Sequence, residues 1–321
     1  MQKNSYHPEG TKMDLRQFQY VSAIAKYRNV TKAADSLYIS QSALSHYIRS
    51  AEDELGVRLF DRSTSPISLT EAGRCYMESA QRILMENERL MKELRDITNH
   101  MSGTLKIGTS RDRCSYMIPK LLPEFYSEFP EIRVNVVTGG GTALKEMLRS
   151  GEIDMVLLPA LPEDRDPSFV YEKLYTEELL LVARKGTVDK KDCMGGHHIV
   201  SPKVLDGKSF FIQEQGHIHR RYCDNLFRKS HIRPEIKQVF SSNISCFRMS
   251  ATGEGMTIVP FMTTQLAYPG NEVELFSIGD PPSTWDIYII YRKDYYLGVP
   301  EKELINLGKK IFSGELRSPA R

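Results

Sequence analysis

The stretch from Asn29 to Gly73 constrains the fold more than any other part of the chain. It contains two short segments with apolar residues at helical spacing, and Ser40 stands directly before the second segment. A serine there accepts from the free N–H groups of a first helical turn, and Gly56 is the residue type that commonly ends a helix. Two β-like runs follow, Arg58–Phe60 and Ile67–Leu69. This order predicts a helix-turn-helix followed by a hairpin wing.

Charge along the second helix of this motif suits a helix that approaches DNA. The segment 39–51 contains no acidic residue, although the whole chain carries a formal net charge of only +2. Acidic side chains come only at the far end of the helix, at Glu52, Asp53 and Glu54. One end can therefore face phosphates while the other faces the protein. An ordinary solvated helix face is the alternative explanation of this pattern.

The polar side chains of this helix and of the wing are the candidate DNA contacts. Gln41 and Arg49 carry donors that can bind base edges, whereas Ser45 and Arg62 are expected to hold phosphates. The full candidate set is Ser40, Gln41, Ser42, Ser45, His46, Arg49 and Arg62.

The run SQSALSHYIRSAEDELGVRLFDRSTSPISLTEAG, from Ser40 to Gly73, closely resembles the amino-terminal segment of LysR-type transcriptional regulators. The resemblance combines the SQxALS start, the ELGVxLF end of the helix and the LTEAG that opens the next helix. Ser42 stands where the family usually has proline, and Ala51 where it usually has leucine. The resemblance implies an α/β protein with an all-α-rich N-terminal domain. Its expected parts are a winged helix-turn-helix, a linker helix and a two-lobed, periplasmic-binding-protein-like α/β effector domain.

The length of 321 residues fits two or three domains. We predict a disordered extension at 1–12, with Met13 as an alternative start, a DNA-binding domain at 13–70 and a linker helix at 71–101. The effector domain is expected at 103–312, with lobe I at 103–176 plus 284–312 and lobe II at 177–283. The first dozen residues lack the apolar core of a secretory signal, and no apolar run reaches bilayer length. Five scattered cysteines without a CxxC pair are typical of reduced thiols, so a cytoplasmic protein is expected.

The segment from Thr70 to about His100 carries an apolar seam of heptad type, and the resemblance implies that this linker helix dimerises. Such a seam is typical of a coiled-coil dimer, in which a polar residue at one core position fixes register. A single amphipathic helix packed on its own domain is the alternative. The seam positions recur at spacings of four and three: Tyr76, Ala80, Ile83, Asn87, Leu90, Leu94 and Ile97.

After Gly103, strand-like and helical runs alternate, which is typical of parallel βαβ units. The resemblance implies that the chain crosses from lobe I to lobe II and returns, and we place these crossings near Tyr175–Glu178 and Pro281–Thr284. Ligands of such lobes bind beyond the carboxyl ends of strands, where helix N-termini present free N–H groups.

Four segments of this kind supply the candidate effector-binding residues, and the effector segments of the family fall on the same places. They are Thr109, Ser110, Arg111, Gly141, Thr142, Gln213 and Asn243. Thr142 is expected to cap the helix that follows it. Arg111 and Arg113, on the loop after the first strand, favour an acidic ligand such as a carboxylate, although two loop arginines can equally be solvated surface.

Other kinds of chemistry find little support in the sequence. His197–His198 and the pair His217 and His219 lack cysteines at zinc-like spacing, so no metal or cofactor is expected. A thiol switch is not expected either, because Gly216-His217 is followed by Ile218 where peroxide-sensing relatives carry cysteine. No GxSxG, HExxH or P-loop motif is present, and an enzyme is not expected. A solute receptor for transport would share the lobes but has no use for a helix-turn-helix.

The expected partners follow from this assignment. They are double-stranded DNA, a small-molecule effector bound between the lobes, a second copy of the chain in a homodimer or homotetramer, and RNA polymerase, with no membrane. Gel-shift or footprinting assays separate this function from the enzyme and receptor alternatives.

Overall fold

The computed structural model describes residues 14–98, 101–194, 198–267 and 272–313. The chain divides into two compact units, Met1–Leu94 and Arg95–Arg321, called here the N-terminal and C-terminal units. Within the described ranges, none of the helices is both long enough and apolar enough to traverse a bilayer. Of the sequence-based expectations, the extension at 1–12, the start at Met13 and the histidine at 197 lie outside the described residues.

The N-terminal unit confirms the predicted helix-turn-helix and wing. Its third helix begins at the predicted cap, where Ser40 Oγ accepts from Ala43 N–H (3.2 Å), and it ends at Gly56 with φ 68°. The apolar faces of the first three helices meet in one core with Leu59 and Phe60 of the wing. In chain order the elements are α1 Leu15–Tyr27, α2 Val30–Ser36, α3 Gln41–Leu55, β1 Phe60–Asp61, antiparallel β2 Ser68–Leu69, and α4 Glu71–Ile97.

Helix α4 changes character along its length. In its first turns Met77 and Ala80 are buried in the core of the N-terminal unit, and the Tyr76 ring lies 5.7 Å from that of Phe18. Farther along, Ile83, Leu90, Leu94 and Ile97 are exposed by 41 to 77%. Tyr76 and Ala80 were expected in a dimer seam, but their side chains pack inside their own unit. For these two positions the alternative of a helix packed on its own domain describes the structure.

The C-terminal unit contains a nine-stranded sheet and a separate pair of parallel strands among the described residues. The first part of the unit, lobe I, contains β3 Gly103–Thr109, α5 Arg111–Glu128, β4 Ile132–Thr138, α6 Gly141–Arg149, β5 Met155–Pro159 and β6 Phe169–Arg184. The parallel pairs β3–β4 and β3–β5 bring the carboxyl ends of these strands, and the helix starts that follow them, to one edge.

Strand β6 carries the chain into lobe II. Its residues up to Glu178 pair with β13, and from Leu179 onward they pair with β11 and β12. Lobe II contains β7 Cys193–Met194, β8 Ile199–Val200, β9 Ser209–Gln213, α7 Ile218–Ser230, β10 Glu235–Phe240, α8 Asn243–Ala251, β11 Thr257–Pro260, α9 Phe261–Ala267 and β12 Val273–Ile278. The chain returns to lobe I in β13 Thr284–Arg292 and ends the described fold with α10 Val299–Phe312. Among the described residues the order of the nine-stranded sheet is β4-β3-β5-β13-β6-β12-β8-β7, with β11 paired to β6, while β9 and β10 form the separate parallel pair.

One long helix contradicts the sequence-based expectation of a loop after the first strand of lobe I. Helix α5 starts at Arg111, so Arg111 and Arg113 lie in its first turn. Two prolines inside the helix, Pro119 and Pro123, obscure its pattern because proline removes a backbone donor and normally ends a helix.

Candidate DNA-binding and effector-binding sites

The start of α3 carries two hydrogen-bonded pairs of polar side chains. Gln41 Nε2 donates to Ser45 Oγ (2.9 Å), and the hydroxyls of Ser40 and Ser42 lie 3.1 Å apart. Ser40 also caps the helix through Ala43 N–H. These polar groups bond to one another in the free protein, and the same donors and acceptors are the types that bind base edges and phosphates.

The exposed side of α3 continues with His46 and Arg49, while Leu44 and Ile48 on the other side are buried at 0 and 1% exposure. The core thus fixes which side of the helix faces outward. All six predicted α3 candidates lie at its capped N-terminal end or on its outward side.

Glu52 organises the wing, a role that the sequence did not indicate. Its carboxylate is 6% exposed and accepts from the N–H groups of Leu59 (2.8 Å) and Phe60 (3.1 Å). It also pairs with Arg62 Nη2 at 3.0 Å. The predicted phosphate contact Arg62 is therefore held by a buried acid at the far end of α3, and about a third of its side chain remains exposed.

A cavity of about 580 Å³ lies between lobes I and II. The starts of four helices form its polar wall: α5 and α6 from lobe I, α7 and α8 from lobe II. The first three have no side-chain cap hydrogen bond. Their first-turn N–H groups and helix dipoles therefore favour a negatively charged group in the cavity. The apolar wall is formed by Leu158, Pro159, Ile218, Ile244, Pro260, Met262 and Trp285.

Six of the seven sequence-predicted effector residues line this cavity: Ser110, Arg111, Gly141, Thr142, Gln213 and Asn243. The exception is Thr109, which is 0% exposed and donates its hydroxyl to Leu157 O (2.9 Å) across the β3–β5 pair. Thr109 therefore holds two strands together behind the wall. Thr109 was predicted to line the site because it ends a strand. Successive side chains of a strand point to opposite faces, and that of Thr109 points into the interior.

Two details of the wall differ from the expected roles. Thr142 was expected to cap α6, but the cap position is Gly140 and Thr142 lies inside the first turn. On the lobe II side, Gln213 Nε2 donates to Ser241 O (3.3 Å). Asn243 is 6% exposed, and its Oδ1 is buried without a hydrogen-bond partner among the described residues.

A buried ion pair lies at the base of the cavity, beside the crossing strands. Arg113 donates through Nη2 to Glu177 Oε2 (2.9 Å) and through Nη1 to Tyr175 Oη (2.8 Å). The same carboxylate accepts from Trp285 Nε1 (2.8 Å) and from Met262 N–H (3.1 Å). The side chains of Arg113 and Glu177 are 2 and 0% exposed. This cluster connects α5, both crossing strands and the start of α9.

A second charged cluster lies where the two lobes meet at the side of the cavity. Arg221 of α7 donates to both carboxylate oxygens of Asp164, each at 2.7 Å, and Asp164 belongs to a 3-10 turn of lobe I. Lys145 Nζ donates to the backbone oxygen of Asp164 (3.2 Å). Burial lowers the pKa of Lys145, and Asp164 partly opposes that shift. The sequence did not indicate this cluster, because its members come from distant segments.

His219 and Cys223 of α7 lie side by side in the protein interior near the cavity. His219 is buried, and burial lowers its pKa to about 4, so the ring is neutral at pH 7. Its Nε2 lies 3.7 Å from Cys223 Sγ, and burial raises the pKa of that thiol. A thiol at high pKa is a poor nucleophile. Among the described residues, no three His, Cys, Asp or Glu side chains come together as a metal site.

Comparison with known proteins gives matches over nearly the whole chain. The family model "Bacterial regulatory helix-turn-helix protein, lysR family" matches residues 15–74, and "LysR substrate binding domain" matches residues 98–310. Similar proteins include the uncharacterised HTH-type transcriptional regulator YcgK of Bacillus subtilis, 27% identical over 311 residues, covering 93% of this chain and 94% of YcgK. The transcriptional dual regulator OxyR of Escherichia coli is 26% identical over 280 residues, covering 87% of this chain and 90% of OxyR.

Solved structures share the fold. A full-length OxyR variant from Pseudomonas aeruginosa superposes with a TM-score of 0.74 at 20% identity, covering 97% of this chain and all of that one. The LysR family regulator CbnR, solved with its target DNA, gives a TM-score of 0.60 at 22% identity, covering 93% and 99%. Both family models together span most of the sequence, in the order in which the structure places a winged helix-turn-helix and a two-lobed domain. This chain belongs to the LysR family of DNA-binding transcriptional regulators.

Proposed function

We propose that this regulator is controlled by a small anionic molecule, such as a carboxylate, that binds in the cavity between lobes I and II. The observation that carries the proposal is the convergence of four helix starts from both lobes on one cavity of about 580 Å³. A cavity of that size accommodates a small metabolite, and its mixture of apolar wall and few polar groups is typical of ligand sites.

The charge of the wall supports an anion rather than a cation. Arg111 and Lys145 line the cavity, and the three helix starts without side-chain caps add partial positive charge. Asp112 and Glu214 are the opposing charges on the wall, and burial raises the pKa of Asp112. Ser110, Thr142, Gln213 and Asn243 then supply the hydrogen bonds that orient the ligand.

The proposed regulation is a population shift. A ligand that touches both lobes binds some lobe arrangements better than others, and only this difference in affinity can change their populations. Contacts with DNA and with RNA polymerase decide whether the outcome at a promoter is activation or repression. RNA polymerase is therefore a further proposed partner.

A thermal-shift screen of metabolites tests the cavity. A ligand at 100 times its Kd stabilises the unit that binds it by about 2.7 kcal/mol. The shift of a true cavity ligand should vanish in the variant Thr142→Val with Asn243→Leu. The matched control is Thr104→Val with Asn306→Leu, two exposed positions outside the cavity. A shift that persists in the first variant locates the ligand elsewhere.

For DNA, we propose that Gln41 and Arg49 bind base edges while Ser45 and Arg62 bind phosphates, with Ser40, Ser42 and His46 at the same surface. The bond from Gln41 to Ser45 must then be exchanged for one to a base. Replacing Gln41 with Ala should relax preference among sites by about 1–3 kcal/mol in a binding-site selection. Arg49→Ala should do the same at another base position. Unchanged specificity in both variants refutes direct base contact.

Assembly is proposed to use the part of the α4 seam that follows Ala80, in a dimer that pairs further into a tetramer. These seam positions are Ile83, Asn87, Leu90, Leu94 and Ile97. Exposed leucine and isoleucine at heptad spacing support this arrangement. Ile83→Glu with Leu90→Glu should dissociate the dimer in sedimentation experiments, whereas Gln81→Glu, outside the seam, should not. A doubly charged variant that sediments like the wild type excludes the seam.

A further inference from the structure

The ion pair between Arg221 and Asp164 differs from an ordinary surface pair because it joins the two lobes. Arg221 lies in the fourth position of α7 in lobe II, and Asp164 lies in the turn between β5 and β6 of lobe I. Both guanidinium Nη atoms donate to the carboxylate at 2.7 Å. This two-pronged geometry is the arrangement that a guanidinium offers to a carboxylate, sulfate or phosphate group.

Arg221 lies between the cavity and a second, smaller crevice. It lines the cavity between the lobes, and it also lines a smaller crevice outside the cavity, together with Asp164. Asp164 is not among the residues of the larger cavity. The guanidinium therefore borders both the crevice that contains the Asp164 carboxylate and the cavity between the lobes.

Lys145 adds a second cation at the same place. It lines the cavity from lobe I, and its described hydrogen bond goes to the backbone oxygen of Asp164 rather than to a carboxylate. Two cations from opposite lobes therefore line the cavity, and both bond to Asp164: Arg221 through the carboxylate and Lys145 through the backbone oxygen. The guanidinium is accessible to a competing anion, because the Arg221 side chain is 51% exposed, whereas that of Asp164 is 15% exposed.

We propose that Arg221 and Lys145 form a subsite for a carboxylate or similar oxyanion, and that Asp164 is a tethered competitor for it. The Asp164 carboxylate occupies the guanidinium until an anionic ligand group replaces it from the cavity side. The inference rests on the proposed function of the cavity and names the part of the ligand that it recognises.

The competition connects occupancy with lobe movement. Because Asp164 and Arg221 belong to different lobes, an anion that takes over the guanidinium also removes an ionic link between the lobes. A neutral molecule in the cavity leaves the link intact. The tether gives Asp164 an effective concentration in the millimolar range or above, so an untethered anion must bind with additional contacts or at high concentration.

Isothermal titration of the full-length protein with two probes, succinate and inorganic sulfate, tests the proposal at constant ionic strength. Asp164→Asn keeps the shape of the side chain and removes its charge. We expect this variant to bind at least one probe with an apparent Kd at least tenfold lower than that of the wild type. Adding Arg221→Gln should abolish the gain, and Lys145→Gln should reduce it. Neutral succinamide should show no gain.

A matched control separates competition from a general change of charge. Glu254→Gln removes one negative charge from an exposed ion pair with Lys237, and both of its residues lie in lobe II. It should alter probe binding less than twofold. The proposal is overturned if Asp164→Asn behaves like Glu254→Gln, if neither probe binds it, or if the gain survives Arg221→Gln. Asp164→Ser repeats the test should the asparagine variant be unstable.

These results are distinguishable from failure of the proposed function. If the cavity takes an effector that makes no use of Arg221, metabolite hits remain sensitive to the Thr142 and Asn243 variant while Asp164→Asn has no effect on anions. If the cavity is not the effector site, the gain for succinate or sulfate persists although metabolite shifts are insensitive to that variant.

Discussion

Two ion pairs beside the cavity use the same chemistry in opposite surroundings. Arg113 and Glu177 are buried at 2 and 0% exposure, and all the partners of the carboxylate are fixed parts of the fold. Arg221 and Asp164 are 51 and 15% exposed and meet across the lobes. A buried charge cannot lose its partner without a large desolvation penalty, whereas water can replace the partner of an exposed one. The first pair is therefore a permanent part of the crossing region, and the second is exchangeable.

The largest expected effect comes from breaking the buried pair. Glu177→Ala leaves the Arg113 guanidinium without its counter-charge and removes the acceptor for Trp285 and Met262. The free energy of unfolding of the C-terminal unit should fall by about 3–5 kcal/mol in urea unfolding. Glu172→Ala is the control on the same strand, because Glu172 forms a half-exposed pair with Lys309. If the free energy of unfolding falls by less than about 1 kcal/mol in Glu177→Ala, the buried pair is not required for the stability of the unit.

Replacing both members of the buried pair sharpens the same point. Arg113→Met with Glu177→Met removes both charges at once and refills the volume with apolar atoms. The double variant should be more stable than Glu177→Ala, because no uncompensated charge is left inside the protein. Equal destabilisation of both variants in urea would show that the hydrogen bonds to Trp285 and Met262 matter more than the charge.

A third pair, in the N-terminal unit, lies between these extremes. Glu52 is buried, Arg62 is partly exposed, and the carboxylate also accepts from two backbone N–H groups. Glu52→Ala should lower the free energy of unfolding of that unit by about 1–3 kcal/mol, because the wing's donors lose their acceptor.

The variant Glu52→Ala can also be tested by its salt-dependent affinity for DNA. If Glu52 presents Arg62 to a phosphate, the slope of log K against log salt should become shallower by about 0.9. Exposed Glu54→Ala is the control at the same end of α3. A steeper slope in Glu52→Ala would mean that the acid instead withholds Arg62 from DNA.

The smallest effect on stability is expected at the pair between the lobes. Asp164→Asn should change the free energy of unfolding by about 0–1 kcal/mol, and raising the salt concentration should shrink the difference further. Urea unfolding at low and high salt measures both. A loss as large as that of Glu177→Ala would make this pair structural rather than exchangeable.

The sequence predicted best where the determinants are local. Ser40 and Gly56 cap and end a helix through their own backbone neighbourhood, so the helix-turn-helix is contained in consecutive residues. The positions of Ser110 and Asn243 follow almost as directly, because a strand followed by a helix places the intervening residues at one edge of a sheet.

Contacts between residues that are far apart in the sequence could not be predicted from it. Arg221 and Asp164 are 57 residues apart, and Arg113 and Glu177 are 64 apart, so no local pattern joins them. The Thr109 hydroxyl is turned toward Leu157 by strand pairing, a direction that its neighbours in sequence do not encode. Helix α5 was missed because its two prolines resemble breaks, although packing of Leu121 and Phe125 in the core maintains the helix.

Strand β6 has a mechanical consequence for any signal that starts in the cavity. It runs unbroken through 16 residues and is hydrogen-bonded to lobe I strands along one part and to lobe II strands along the next. The two lobes are therefore joined by a continuous, hydrogen-bonded strand rather than by a single hinge residue. Rotation of one lobe against the other would twist β6, and the rotation would be distributed over many small changes in strand twist. We therefore expect β6 to limit the rotation of one lobe against the other when a ligand binds.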